Sequence, residues 1–171
     1  MFRFLFRLLL PLLTFPGIPV HEAAHALACR ITSTRVYEIR WFRLGMVMGA
    51  VTHERPTSPW TWMLIAAAPW FVNSALGFGL GWASRVHLTG WVQFPATWLA
   101  VSIATHAFPS LTDAVGLLES LWKENPGWAA RVVGTPLGAV MVAGAFGSLY
   151  FLLDLAWGIT VGWLLPRWTG G

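Results

Sequence analysis

Apolar residues in this chain come in long runs, with the polar positions gathered between them. Four runs approach or exceed the roughly 20 residues a helix needs to cross a bilayer. The first extends from about Phe4 to Cys29 and is interrupted by Pro11, Pro16, Gly17 and Pro19. The second covers Trp60 to Trp82, with a tryptophan at each end, where amphipathic rings sit at a membrane interface. The third begins near Trp91 and continues to about Trp122, broken at Pro109, which cannot supply a helical N–H. The fourth lies within Thr135 to Leu165, room for one tilted helix or a helix with an interfacial extension. Between the first two runs the period changes. In "RVYEIRW", Tyr37, Ile39 and Trp41 alternate with Glu38 and Arg40, the period-two signature of a strand. "GMVMGAVTHERP" offers a second strand-like run, with Gly45 and Gly49 as bend or bulge positions.

The pattern predicts an α-helical integral membrane protein, multi-pass, with about four transmembrane helices and a small β-hairpin or ribbon at about 32–56 between helices 1 and 2. No internal repeat, low-complexity tract or long linker divides it, so residues 1–171 read as a single membrane-embedded domain. Composition agrees: 56% of residues are hydrophobic and 11% charged, against about 25% charged in soluble domains. The net charge of +4 comes from scattered Lys and Arg, a distribution that suits cytoplasmic loops and not nucleic-acid binding. With Cys29 as the single cysteine, neither a disulfide framework nor a Cys-rich zinc site can be built. "MFRFLFRLLLPLL" has the basic start and apolar run of a signal peptide, but no A-x-A site follows, and a retained helix is expected.

The chemistry gathers in "PGIPVHEAAHALACR". The chain has seven acidic residues and five histidines, and three of these twelve fall within five positions of an apolar segment. Ionisable groups in such a place are costly and point to function. His21 and His25, four apart, share one helical face and can grip one cation through two imidazoles. In H-E-x-x-H the glutamate, here Glu22, is the general base and not a ligand. Pro19 suits the first turn of the helix. Zinc needs a further protein ligand. Asp113 is one candidate; Ser110 and Asp113 after Pro109 also read as a capping box. Asp154, in the last apolar stretch, is the alternative ligand, a pocket residue or a buried structural polar group, and His106 is a ligand competitor, a group that orients a ligand, a transition-state donor or a structural histidine. Asn73 is either a hydrogen-bond donor to substrate or oxyanion or an interhelical tie. His53 and Glu54 lack a partner at metal-binding spacing and read as loop residues.

"HEAAHALACR" after an apolar helix resembles the site-2 protease family of intramembrane zinc metalloproteases. In that family a later helix supplies an aspartate ligand from an N-x-x-P-x-x-x-L-D-G type motif. "HAFPSLTDAVG" is similar: Pro109 matches the proline and Asp113 the ligand, with His106 where Asn is frequent, a spacing one residue shorter, and Ala114 for Gly. "AAPWFVNSA" resembles the family's G-P-x-x-N-like motif, with Ala68 for Gly and Asn73 one residue late. The resemblance covers residues 16 to about 120. It implies one Zn2+ per chain held by His21, His25 and Asp113, with Glu22 as base. The implied activity is hydrolysis of peptide bonds in or near transmembrane segments of single-span membrane proteins in the lipid bilayer. The competing classes are a non-catalytic zinc-binding pseudoprotease or scaffold, which has no need of Glu22, and a small metal transporter, whose ligands would be strung along a path. For four spans, Arg30, Arg35, Arg40, Arg43, Arg55, Lys123 and Arg131 lie on the ribbon side and Arg3, Arg7, Arg85 and Arg167 opposite. That balance puts the ribbon, and with it the site, nearer the cytoplasmic face.

Overall fold

The structure is a computed structural model that describes residues 9–43, 49–123, 127–147 and 152–169. The basic start of the first apolar run and Gly45 lie outside the described residues. A helical stretch at 9–13 gives way to a turn at 14–16. Helix α1 (Gly17–Ile31) follows, with Pro19 in its first turn, where a missing N–H costs nothing. Thr32 ends it: its N–H and its hydroxyl both donate to Ala28 O, and Ser33 then turns the chain at φ 56°.

The ribbon pairs β1 (Val36–Arg40) with β2 (Ala50–His53) antiparallel. Its irregularity falls in β1, between Val36 and Glu38, and not at a glycine of the second strand. One extra residue in β1 changes which positions share a face. Val36 and Ile39 turn inward while Tyr37, expected on the Ile39 face, is exposed. His53 closes β2 and is not a loop residue. On the outer face Arg40 donates to Glu38 and holds that carboxyl below its ordinary value.

Helix α2 (Pro59–His87) begins with Pro at its first position after Ser58. Beyond a short 3-10 turn (Gly90–Val92) come α3 (Gln93–Thr105), α4 (Leu111–Lys123), α5 (Trp128–Gly147) and α6 (Leu152–Ile159). A π-helical turn (Thr160–Leu164) then leads into α7 (Leu165–Thr169). The hydropathy pattern predicts four spans; among the described residues two helices, Pro59–His87 and Trp128–Phe146, are long and apolar enough to cross a membrane. The expected first and third spans are divided by the prolines within them, at 14–16 and at 106–110. The last apolar stretch is not one helix: it holds the end of α5, then α6 and the π-helical turn.

Two clusters hold the site in place. Ala24, Ala28 and Cys29 of α1 pack on Ile65 and Ala68 of α2, with Val36 of the ribbon against them. Ile65 apart, side chains this small let the two backbones approach closely. Met63 and Ala66 of α2 pack with Ala114, Leu117 and Leu121 of α4 and Met141 of α5. Helix α2 therefore stands between the helix of the H-E-x-x-H motif and the helix that begins near Asp113.

Candidate metal centre

His21 and His25 lie one turn apart on α1, and their Nε2 atoms approach to 3.2 Å. Asp113, in the first turn of α4, brings Oδ2 to 3.6 Å from His25 Nε2. One ligand atom from each of the three lies within 4.8 Å of the others. The far side of each ring fixes what the near side offers. His21 Nδ1 donates to His106 O at 2.7 Å and His25 Nδ1 donates to Ile65 O at 2.9 Å. A carbonyl only accepts, so both Nδ1 atoms carry the proton and both neutral rings present lone pairs at Nε2. Two lone pairs and a carboxylate oxygen facing one another repel unless a positive charge sits among them. A proton there serves two of the three atoms at once; a zinc ion serves all three, in the N/O donor set it favours. The residues fit the metal.

Both carbonyls are free to accept because of prolines. In a regular helix Ile65 O would accept from the N–H four residues on. That residue is Pro69, inside α2, which has no N–H. The "AAPWFVNSA" motif thus leaves an acceptor beside His25. At the other ring, α3 ends at Thr105 ahead of Pro109, so His106 O is not taken up by a continuing helix. Ser110 N–H, its partner had the helix run on, donates instead to Asp113 Oδ2 at 2.9 Å. The Ser110 hydroxyl donates to the same oxygen and accepts from Asp113 N–H. The capping box and the ligand position coincide in one residue, and the cap fixes the carboxylate's direction.

Orienting groups matter to metal affinity by about 10–100-fold. Pro69→Ala restores an N–H that competes for Ile65 O. Zinc affinity is expected to fall within that range while the zinc-free protein melts no lower, since Ala favours the helix. Competitive zinc titration and thermal melting check it; an unchanged affinity removes Pro69 from this role.

Asn73 is fully buried and shares its two N–H groups among the carbonyls of Gly17, Ile103 and His106, at 3.0–3.3 Å. With its donors so committed it ties α1, α2 and α3 together and steadies the carbonyl that orients His21; it does not offer them to an oxyanion. His106 contributes that same carbonyl, while its Nε2 lies 2.9 Å from Thr14 Oγ1. The Thr14 hydroxyl donates to Leu10 O, so His106 Nε2–H donates to Thr14. Its imidazole is not among the grouped ligands and packs where Gly17 has no Cβ to block it. Asp154 is not among the grouped ligands: it faces a separate cavity of about 230 Å³ with Phe108, Pro109 and Ser110.

Glu22 is buried at 6% exposure beside the histidines. Pattern reading takes Gly49 as a bend; the fold puts it against this carboxylate. A Cβ at Gly49 would fall 2.5 Å from Glu22 Oε1 and 2.9 Å from Cδ. Ribbon and glutamate are far apart in sequence, so only their proximity in space gives Gly49 this meaning. Gly49→Ala is expected to turn the carboxylate aside, keep zinc and lower turnover about 10²-fold, the scale of a 1 Å misplacement. Equal turnover by zinc-loaded Gly49→Ala and wild type would contradict it. An open groove of about 560 Å³ lies between the end of β2 and α4, lined by His53, Arg55, Trp62, Leu111 and Thr112.

Residues 14–128 match the family model described as "Putative zincin peptidase". No curated protein and no solved structure matches the chain.

Proposed function

The chain belongs to this zincin peptidase family, and from that premise we propose that it is an intramembrane zinc endopeptidase of the site-2 protease type, cutting single-span membrane proteins in or near their transmembrane segments. The observation that carries the reading is the convergence of His21 Nε2, His25 Nε2 and Asp113 Oδ2 beside a buried carboxylate that belongs to none of the grouped ligands.

The three donors hold the metal, and backbone carbonyls and the Ser110 cap hold the donors. Zinc, when bound, supplies Lewis acidity for polarising a peptide carbonyl and acidifying water. Glu22 takes the proton of the attacking water and returns it to the leaving amine. A substrate helix must unwind to present a peptide bond. The ribbon receives the unwound segment as an added strand, and the position of Gly49 against Glu22 brings that strand's backbone past the base. The groove between β2 and α4 gives the segment room.

A multi-pass setting in the lipid bilayer is supported by the two helices of spanning length. It is also supported by what they expose: Phe71 at 66% on α2 and Val132 at 63% on α5. The charge balance of the loops favours the cytoplasmic face for the ribbon and the site. Purified in detergent and reconstituted, the protein is expected to hold one zinc per chain and to cleave a single-span reporter. A strong chelator should abolish cleavage and zinc should restore it; zinc-loaded protein without cleavage of any reporter would count against a peptidase. In intact cells a cysteine at Thr52, in a Cys29→Ser background, should resist an impermeant thiol reagent, and strong labelling would reverse the orientation.

A further inference from the structure

Far along α2 from the metal centre, Arg85 and Arg167 line a cavity of about 220 Å³ together with Gln93, Thr97 and Trp163. Arg85 lies twenty residues beyond Ile65, which places it about 30 Å along the helix, one hydrocarbon thickness away. The cavity owes its shape to a close approach of backbones. A Cβ at Gly81 would collide with the carbonyl oxygen of Gly162, so α2 and the π-helical turn touch there without side chains between them. Widened turns of this kind recur at functional sites. Here the turn carries Gly162 and Trp163, two of the residues around the recess.

The chemistry of the lining is one-sided. Among the described residues no acidic side chain lines the cavity. The guanidinium of Arg167 stands over the Trp163 ring at 4.8 Å from its centroid, which orients its donors without using them. Arg85 is exposed, and no hydrogen bond or ion pair engages it among the described residues. Two forked guanidinium groups with Gln93 and Thr97 beside them match the oxygens of a phosphoester anion. The surroundings are those of a membrane interface. Phe94, also in the lining, is 70% exposed, and Trp82, Trp91 and Trp168 are exposed at the same end.

We propose that Arg85 and Arg167 form a phosphoester-anion site occupied by the phosphodiester of an anionic phospholipid, with its acyl chains against Phe94 and Trp163. The site rests on the membrane embedding proposed above and is independent of proteolysis. A free phosphoester has the same charge but no use for the apolar surface that continues from the cavity.

The test uses the full chain in neutral detergent, with native mass spectrometry and thermal melting as readouts. Phosphatidylglycerol, phosphatidylcholine and soluble glycerol phosphate are the probes. Wild type is expected to bind phosphatidylglycerol about tenfold or more tightly than Arg85→Gln, the scale of losing a charged hydrogen-bonding partner. Phosphatidylcholine should bind both weakly. Arg85→Lys, which keeps the charge and is the safer variant for folding, should retain more phosphatidylglycerol than Arg85→Gln. Unchanged zinc content in both variants reports an intact fold. Equal phosphatidylglycerol affinity in wild type and Arg85→Gln would overturn the site. Glycerol phosphate binding as tightly as phosphatidylglycerol would overturn the lipid as occupant. Release of the protein from membranes by alkaline carbonate without detergent would overturn the embedding itself, separately from the site.

Discussion

Glu22→Gln is expected to keep zinc at one per chain and to lose proteolysis by about 10²–10⁴-fold, the contribution usual for a general acid–base group. The substitution preserves size and helix position and removes the proton acceptor. Glu22 stands outside the group His21, His25 and Asp113, so the donors that could hold a metal ion are untouched. The measurement is cleavage of a single-span reporter in reconstituted membranes, with metal analysis of the same preparation. Zinc-loaded Glu22→Gln that cuts at the wild-type rate would refute the mechanism. A scaffold that holds zinc and partners without catalysis would keep its cellular role in this variant, so a complementation assay separates the two classes. Loss of zinc would make Glu22 a ligand or a structural residue.

The second large effect concerns Asp113, which caps α4 through Ser110 and completes the donor set. Asp113→Asn separates the two jobs. The amide oxygen still accepts from Ser110 N–H, so little of the roughly 1 kcal/mol typical of a cap is lost. The negative charge and the carboxylate donor are gone. Zinc affinity is expected to fall by more than about 100-fold, beyond what removal of an orienting partner costs, while the zinc-free protein melts near its usual temperature. Asp113→Ala should show the same loss of zinc and a lower melting temperature as well. Full zinc affinity in Asp113→Asn would reduce the residue to a helix cap and send the search for a third ligand elsewhere.

The H-E-x-x-H spacing was legible in the sequence because a helix turns every 3.6 residues and two histidines four apart must share a face. Asp113 and Ser110 were legible as a cap because capping is local, decided within four residues. The apolar runs and their proline breaks were equally plain. What escaped was non-local. Asn73 reads equally as a donor to substrate and as an interhelical tie, and only the fold shows its partners to be three carbonyls brought from α1, from α3 and from the turn after it. His106 reads evenly as a group serving the metal site or as a structural histidine, and only the fold shows its backbone oxygen orienting His21 while the ring turns to Thr14. No pattern in a sequence shows which backbone groups a fold leaves unpaired.

Pro69 marks the boundary between the two kinds of knowledge. Its position alone determines that Ile65 O lacks a helical partner. That His25 comes to use this oxygen depends on the alanine-lined contact of α1 with α2. The same division holds for the whole chain. Local rules, namely hydrophobic run length, helical period and capping, determined by themselves that this is an apolar helical protein with a histidine pair poised for a metal. Tertiary packing alone decided where the pair meets a carboxylate, why both rings present Nε2, and why Gly49 lies on Glu22. Each of those depends on groups distant in sequence whose approach is set by the shape and size of the side chains between them.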